Sequence, residues 1–222
     1  MTTRRLAAIL AADVVGFSSM MERNEEGTLA RLKALQRDLL EPRVSAHHGR
    51  VVKTTGDGFL VEFASPLEAV RCALGVQEEL ARNVAPEAPE GPLRLRIGIT
   101  LGDIIIQDDG DIYGEGVNVA TRLEQLAEPG GICVSGKVHD EVEGKIAVPW
   151  EEHGEYQVKN ISRPVRVFAA RPSKGAPSTG GTASAAFERT TYIGEDRPQK
   201  AGCGGDQGLS RPRAHLAGAV RL

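Results

Sequence analysis

Residues 6–17 read LAAILAADVVGF, an apolar run that an aspartate interrupts and a glycine ends. A run of this kind, bounded by a turn signal, predicts a strand that is buried on both faces. Two arginines precede the run, so the segment also has the outline of a short secretory leader, but the run is short and Asp13 breaks it. We expect a central strand over residues 6–15, with Asp13 near its end and a turn at Gly16.

A second decisive segment is the glycine-aspartate-glycine turn that separates two apolar stretches, residues 50–55 and 59–63. Such a turn is typical of a tight hairpin and places Asp57 at the tip. If the first strand pairs with this hairpin, Asp13 and Asp57 come side by side. Two carboxylates at strand ends suit Mg2+, and two such ions can stabilise both oxygens of a phosphoryl displacement. Each aspartate on its own is equally well explained as a turn or helix-start residue.

The rest of the pattern alternates helices and strands, without an internal repeat. A leucine stripe predicts one long helix over residues 22–47, which Gly49 ends as a C-cap. Apolar alternation predicts a half-buried strand over residues 93–106, in which Gly98 and Gly102 mark bulges or close backbone approaches. Further helices are expected at residues 65–82 and 116–127, and further strands at 132–134, 146–158 and 165–170.

The composition indicates one globular domain followed by a tail. The chain of 222 residues has 41% hydrophobic residues and a net charge of -3, so it carries no basic footprint for nucleic acid. We expect no membrane segment, because no apolar run approaches the roughly 18 residues of a span. Three widely spaced cysteines form no disulfide or metal pattern, which favours the cytoplasm. Residues 6–170 form the expected domain, and residues 171–222, without apolar periodicity, are expected to be a disordered linker or tail.

A second polar constellation lies in the segment DIYGEGVNVATR, residues 111–122. Asn118 and Arg122 are four residues apart and share one face of the predicted helix. An amide and a guanidinium in this position can orient a ribose and neutralise a reacting phosphate, although a solvated helix face also explains them. The turn after the first strand is a candidate phosphate-binding segment and comprises Gly16, Phe17 and Ser18. Free backbone N–H groups at the start of a helix favour the binding of a triphosphate.

Several spaced motifs occur along the chain: Asp13-x-x-Gly16-Phe17, Lys53-Thr54-Thr55-Gly56-Asp57, Arg96-Ile97-Gly98-Ile99, Asp111 followed by Asn118 and Arg122, and Pro129-Gly130-Gly131-Ile132. Together these motifs resemble the catalytic domain of the class III adenylate and guanylate cyclases, and their sequences are most similar to the bacterial, rhizobial-type members. The resemblance covers residues 6–170 and implies an α+β, ferredoxin-like fold with a mixed, mostly antiparallel sheet covered by helices.

The resemblance further implies that ATP is converted to 3',5'-cyclic AMP and pyrophosphate with two Mg2+ or Mn2+ ions. The sites would be shared between the chains of a head-to-tail homodimer. Many relatives contact the distal phosphates of ATP through a basic residue in a Lys-Gly-Lys turn. That turn is replaced here, so Lys159 or Arg163 would take over the contact. The implied roles are metal binding for Asp13, Asp57 and the Val14 carbonyl, base recognition for Lys53 and Asp111 of the second chain, ribose positioning for Asn118 and transition-state stabilisation for Arg122.

The choice of base follows from hydrogen bonding as well. Adenine presents an amino donor and a ring-nitrogen acceptor, which match the carboxylate of Asp111 and the ammonium of Lys53. Guanine presents the reverse order and would need an acidic residue at position 53. Two alternatives to an adenylate cyclase stay open, a catalytically silent nucleotide-binding regulatory module and a guanylate cyclase.

Overall fold

The computed structural model describes residues 3–82, 91–157 and 163–171. The tail beyond residue 171 and Lys159 lie outside the described residues, so what the sequence predicts for them stays a prediction. None of the helices within these ranges combines the length and the apolar character that a membrane crossing requires.

One mixed sheet with helices on both faces accounts for the described residues and confirms the predicted α+β class. Its strands are β1 (Thr3–Val14), β2 (Gly49–Thr55), β3 (Gly58–Phe63), β4 (Leu95–Ile106), β5 (Ile112–Tyr113), β6 (Ile132–Ser135), β7 (Glu151–Tyr156) and β8 (Val165–Ala170). They lie in the order β2-β3-β1-β4-β6-β8-β7, and β5 pairs with β4. β4 and β6 run parallel, whereas the other described pairs are antiparallel.

The helices differ most from the sequence prediction in the segment between β1 and β2. They are α1 (Phe17–Arg23), α2 (Glu25–Ala34), a π-helical segment (Leu35–Leu40), α3 (Glu41–Ala46), α4 (Pro66–Arg82), α5 (Glu115–Leu126) and α6 (Gly136–Val142). The helices predicted at residues 65–82 and 116–127 are observed as α4 and α5.

The central strand β1 is buried on both faces, as the apolar run before Asp13 predicted. Ile9 is 0% exposed and Leu10 is 4% exposed, yet these neighbours belong to different clusters on opposite faces of the sheet. α4 contributes to the cluster around Leu10, and α5 contributes Ala120 to the cluster around Ile9. Asp13 is only half-buried and stands where this apolar strand ends.

Gly98 allows α5 to lie directly on β4. A Cβ at this position would collide with the backbone of Ala120 and Glu124. A Cβ at Gly102 would likewise come within 3.0 Å of the Gly116 Cα. The β1–β4 register continues without a shift through both glycines, so they are close approaches rather than bulges.

The single helix predicted over residues 22–47 is wrong, because Asn24 interrupts it. Asn24 has φ -157° and ψ 89°, and its side chain caps α2 by accepting a hydrogen bond from the Gly27 N–H at 3.0 Å. Asparagine favours this role because its side chain competes with the helical backbone bonds. Farther along, the π-helical segment buries Leu35 and Leu40, five residues apart, which the regular leucine stripe did not predict.

Gly49 is not the predicted C-cap. His48 takes the left-handed conformation after α3, with a φ of 57°, and Gly49 is the first residue of β2. A Cβ at Gly49 would collide with the ring of Phe63. The glycine is therefore required by packing between β2 and β3, not by the end of the helix.

Replacing Gly98 by alanine tests the close packing of α5 on β4. We expect Gly98→Ala to lower the free energy of unfolding by about 1–3 kcal/mol or more, because the helix has to move off the sheet. Gly75→Ala in α4 is the matched control. Its Cβ meets the end of the Arg43 side chain at 2.9 Å, and alanine improves helix propensity by about 1 kcal/mol. Urea unfolding of the two variants measures the difference, and equal stabilities would contradict the close approach.

Candidate active site

Asp13 and Asp57 meet at one end of the sheet. The β1–β3 pairing places Asp13 opposite Gly58, the residue that follows Asp57. Gly56 begins the two-residue turn with a φ of 67°, in the left-handed region that favours glycine at this position of a hairpin. The turn therefore holds Asp57 half-buried beside Asp13.

Arg96 and Glu124 join the two aspartates in an acidic cluster, defined here as Asp13, Asp57, Arg96 and Glu124. Arg96 lies opposite Asp13 in the β1–β4 register and donates from Nη2 to Asp13 Oδ2 at 2.7 Å. Its Nε lies 3.5 Å from Oε1 of Glu124, which is 7% exposed. Sequence reasoning missed both as site residues, because alternation along β4 marked Arg96 only as part of a polar face.

Negative charge exceeds positive charge within the acidic cluster. Burial raises the pKa of Asp57, and the charge of Asp13 raises it further. Burial also raises the pKa of Glu124 to about 7, with Asp13 adding to the effect and Arg96 opposing it. Burial is the main cause of both shifts, and repulsion from the neighbouring carboxylates adds to it. A bound cation would relieve this repulsion.

The Asp13–Asp57 pair fits part of the shell of a hard divalent cation, because Mg2+ and Mn2+ prefer carboxylate oxygens. Val14 has an apolar side chain, so its backbone carbonyl is the group it would offer to a metal ion. Within the described ranges, no group of three or more His, Cys, Asp or Glu side chains is arranged as a metal site. Water or phosphate oxygens would have to complete the shell, as is common for Mg2+.

Lys53 and Asp111 form a direct ion pair elsewhere on the sheet. Lys53 Nζ donates to Asp111 Oδ2 at 2.8 Å, and the Ile112 N–H donates to Asp111 Oδ1 at 2.8 Å. The Lys53 contact lowers the pKa of Asp111 and, reciprocally, raises the pKa of Lys53. Tyr113, which was not a predicted site residue, has its ring centroid 5.2 Å from Lys53 Nζ, and its hydrogen bond to Asp111 raises the pKa of the phenol.

Asn118 and Arg122 lie on the side of α5 that faces away from Glu124, and Arg122 is half-buried there. Asn118 is exposed, and Arg122 Nη1 donates to Gln125 Oε1 at 2.9 Å. Glu124 follows Arg122 by two positions, about 200° around the helix, and is on the buried side. In the part of the chain that the structure describes, no hydrogen bond or ion pair joins Asn118 or Arg122 to the acidic cluster or to the Lys53–Asp111 pair.

The turn between β1 and α1 places the predicted phosphate segment next to the acidic cluster. Gly16 adopts φ 73° and ψ 20° and precedes α1, which starts at Phe17. Phe17 is half-buried against the core, whereas Ser18 is exposed. The helix starts five residues earlier than predicted, so the first-turn N–H groups directly follow the strand that carries Asp13.

Arg163, one of the two residues considered for the distal phosphates, lines a pocket to which neither the acidic cluster nor the Lys53–Asp111 pair contributes. Arg163 is exposed, and the pocket of about 580 Å³ lies between β4, α5, α6 and β8. Glu115 and Val119 are among the α5 residues that line this pocket, whereas Asn118 and Arg122 do not line it.

Glu124→Gln tests the electrostatic cost of the acidic cluster. The folded-state pKa of about 7 lies above the ordinary glutamate pKa of 4.5, so the folded protein holds the proton more tightly and ionisation destabilises it as the pH rises from 4.5 through 7. In metal-free buffer we expect the variant to gain on the order of 2 kcal/mol at pH 8 and little at pH 4.5. Urea unfolding at both pH values measures this; a gain that is independent of pH would contradict the assignment.

Comparison with known proteins identifies relatives of this chain. The chain is 46% identical over 173 residues to "Putative adenylate cyclase 3" of Rhizobium meliloti, an alignment that covers 78% of this chain and 29% of that protein. It is 31% identical over 192 residues to a pH-sensitive adenylate cyclase of Mycobacterium tuberculosis, with 82% of this chain and 44% of that protein covered. The chain therefore spans less than half the length of these two relatives.

Solved structures show the same fold. A crystal structure named adenylate/guanylate cyclase/hydrolase from Silicibacter pomeroyi has a TM-score of 0.72 and 44% identity, and the match covers 78% of this chain and 100% of that one. The adenylyl cyclase CyaB from P. aeruginosa has a TM-score of 0.67 at 22% identity, with 79% and 98% covered, which shows the fold alone. The sheet described above is thus the nucleotide cyclase fold.

The sequence profile of the adenylate and guanylate cyclase catalytic domain matches residues 2–170. This match takes in both groups of site residues, the acidic cluster and the Lys53–Asp111 pair. The chain belongs to the family of adenylate and guanylate cyclase catalytic domains.

Proposed function

We propose that this domain is an adenylate cyclase, which converts ATP to 3',5'-cyclic AMP and pyrophosphate. The 2.8 Å contact between Lys53 Nζ and Asp111 Oδ2 carries the choice of ATP. It places a donor that cannot accept beside an acceptor that cannot donate. This order matches N1 and the amino group of adenine, and it opposes the carbonyl and N–H of guanine.

Both partners of this contact stay charged over a wide pH range, which suits a recognition element. The Asp111 carboxyl has a lowered pKa and the Lys53 ammonium a raised pKa, each chiefly through the hydrogen bond between them. The carboxylate is lost only as the pH falls through its lowered value, and the ammonium only as the pH rises through its raised value. Both groups therefore stay charged around neutrality.

The reaction is an attack of the ribose 3'-hydroxyl on the α-phosphorus, with pyrophosphate as the leaving group. Two Mg2+ or Mn2+ ions bound at Asp13 and Asp57 would supply Lewis-acid stabilisation of the attacking and leaving oxygens. Asn118 offers an amide to orient the ribose, and Arg122 offers a guanidinium to the charge that develops on the α-phosphate. The first turn of α1, at Gly16, adds backbone N–H groups for the triphosphate.

A head-to-tail homodimer is part of the proposal, because the two faces of α5 separate the required side chains. Glu124 is on the buried side, within the acidic cluster, whereas the exposed Asn118 and the half-buried Arg122 are on the opposite side. A nucleotide that contacts Arg122 and the aspartate pair at once is therefore best held between two chains. ATP is a cytoplasmic nucleotide, so a cytoplasmic location belongs to the same proposal.

Turnover of ATP by mixed variants tests the reaction and the shared site together. We expect cyclic AMP from the wild-type domain with Mg2+ or Mn2+, and a loss of at least about 100-fold in Asp57→Asn and in Arg122→Ala. When the two variants are mixed, half of the dimers carry one intact site, so roughly a quarter of wild-type activity returns.

The outcomes of this assay separate the alternatives. Turnover that persists in Asp57→Asn would contradict the metal assignment, and a mixture as inactive as its components would contradict the shared site. ATP binding by a dimer that makes no cyclic product would favour the silent regulatory module instead. The pKa of the Asp57 carboxyl is already raised, so replacing it by a neutral amide should not destabilise the fold. A folded Asp57→Asn variant therefore shows that any loss of activity is not caused by unfolding.

Base selectivity is tested by Lys53→Glu. The change removes the ammonium donor and places a second carboxylate beside Asp111, so we expect the ATP:GTP ratio of kcat/KM to fall by about tenfold or more. Lys33→Glu makes the same change of charge on the exposed side of α2 and should leave the ratio unaltered. Competition between the two nucleotides at equal concentration gives the ratio, and a wild-type preference for GTP would favour the guanylate cyclase alternative.

A further inference from the structure

The loop between β4 and β5 carries Asp111 and is shaped mainly by its own hydrogen bonds. The Gln107 N–H donates to the Asp111 carbonyl at 2.9 Å, and the Gly110 N–H donates to the Gln107 carbonyl at 2.9 Å. The Asp111 N–H donates to Asp109 Oδ1 at 2.9 Å. These bonds define the shape of the loop, but they do not fix its position relative to the strand that carries Lys53.

Arg50 reaches this loop from β2. Its Nη1 and Nη2 both lie 3.1 Å from the carbonyl oxygen of Gly110, the residue immediately before Asp111. Its Nε donates to Glu62 Oε1 at 3.0 Å. The planar guanidinium thus uses separate N–H groups for the loop and for the carboxylate, a geometry that lysine cannot reproduce.

Glu62 provides a firm anchor for Arg50. It lies directly opposite Arg50 in the β2–β3 register and is 6% exposed. A second arginine, Arg5 of β1, donates to the same Oε1 at 2.7 Å. Two cations compensate this buried carboxylate, so the anchor survives a change at either one.

We infer that Arg50 is a positioning residue for base recognition, which holds the Gly110 carbonyl so that Asp111 stays within reach of Lys53. Arg50 and Lys53 both belong to β2, so one strand sets the place of the donor and, through the loop, of the acceptor. The inference rests on the proposed role of the Lys53–Asp111 pair in reading adenine. It gives Arg50 no contact with the nucleotide.

Loss of the contact between Arg50 and the Gly110 carbonyl is expected to reduce the discrimination between ATP and GTP. An ammonium alone can donate to N1 of adenine or to the carbonyl oxygen of guanine, whereas the carboxylate accepts only from the amino group of adenine in this arrangement. When Asp111 is free to move, Lys53 still binds a purine but discriminates less. The effect should appear in KM for ATP and in the ATP:GTP ratio, more than in kcat.

Arg50→Lys compared with Arg5→Lys tests the inference in the full chain. Both changes weaken one arginine contact with Glu62, but only Arg50 also contacts Gly110. We expect Arg50→Lys to lower the ATP:GTP ratio of kcat/KM by roughly tenfold, chiefly by raising KM for ATP. Arg5→Lys should keep the wild-type ratio, with a similar change in stability by urea unfolding.

The outcomes distinguish the positioning role of Arg50 from the base-reading role of Lys53 and Asp111. An unchanged ratio in Arg50→Lys, or an equal loss in both variants, would overturn the inference and leave Arg50 as a partner of Glu62 only. A wild-type domain that turns over ATP without adenine preference would overturn the base-reading role itself. If the wild type makes no product, the ratio of the dissociation constants for ATP and GTP is measured instead of the ratio of kcat/KM. A binding preference for ATP that Arg50→Lys loses and Arg5→Lys keeps would then support the inference, even though the cyclase proposal fails.

Discussion

The antiparallel pairing of β1 with β3 and β4 is the constraint on which the site depends. It sets Asp13 opposite Gly58 on one side and opposite Arg96 on the other. Because successive side chains of a strand face opposite ways, a slip of one residue would exchange the buried sets around Ile9 and Leu10. Burial on both faces therefore fixes the register, and the register brings the aspartate, the hairpin turn and the arginine together.

The charges gathered in this way do not stabilise the fold. Burial and mutual repulsion raise the pKa of Asp57 and of Glu124, which means that the ionised carboxylates are destabilised in the folded, metal-free protein. Arg96 offsets only part of this charge. A cation at the aspartates would remove the repulsion, so ligand binding and folding stability are coupled at this end of the sheet.

On helix α5, the residue that joins the acidic cluster and the residues proposed to contact the nucleotide occupy different angular positions. Its inner side lies on Gly98 so closely that no side chain fits between them, which directs Glu124 to Arg96. Its outer side carries Asn118, which is exposed, and Arg122, which is half-buried. The close helix–sheet contact thus explains why these outward groups lie away from the acidic cluster of their own chain, an arrangement that the proposed shared site requires.

The sequence by itself determined the features that depend on local pattern. The two-faced burial of β1 and the hairpin tip at Asp57 follow from apolar runs and glycine turn chemistry, and the spaced motifs indicated the family. Local pattern failed over residues 22–47, where the cap formed by Asn24 overrides the leucine stripe. Only the tertiary structure assigned partners to Arg96 and Arg50, whose contacts lie 83 and 60 positions away in the chain. Hydrophobic periodicity is a property of neighbouring residues, whereas a hydrogen bond between distant residues depends on how strands pair and helices pack, which no single segment encodes.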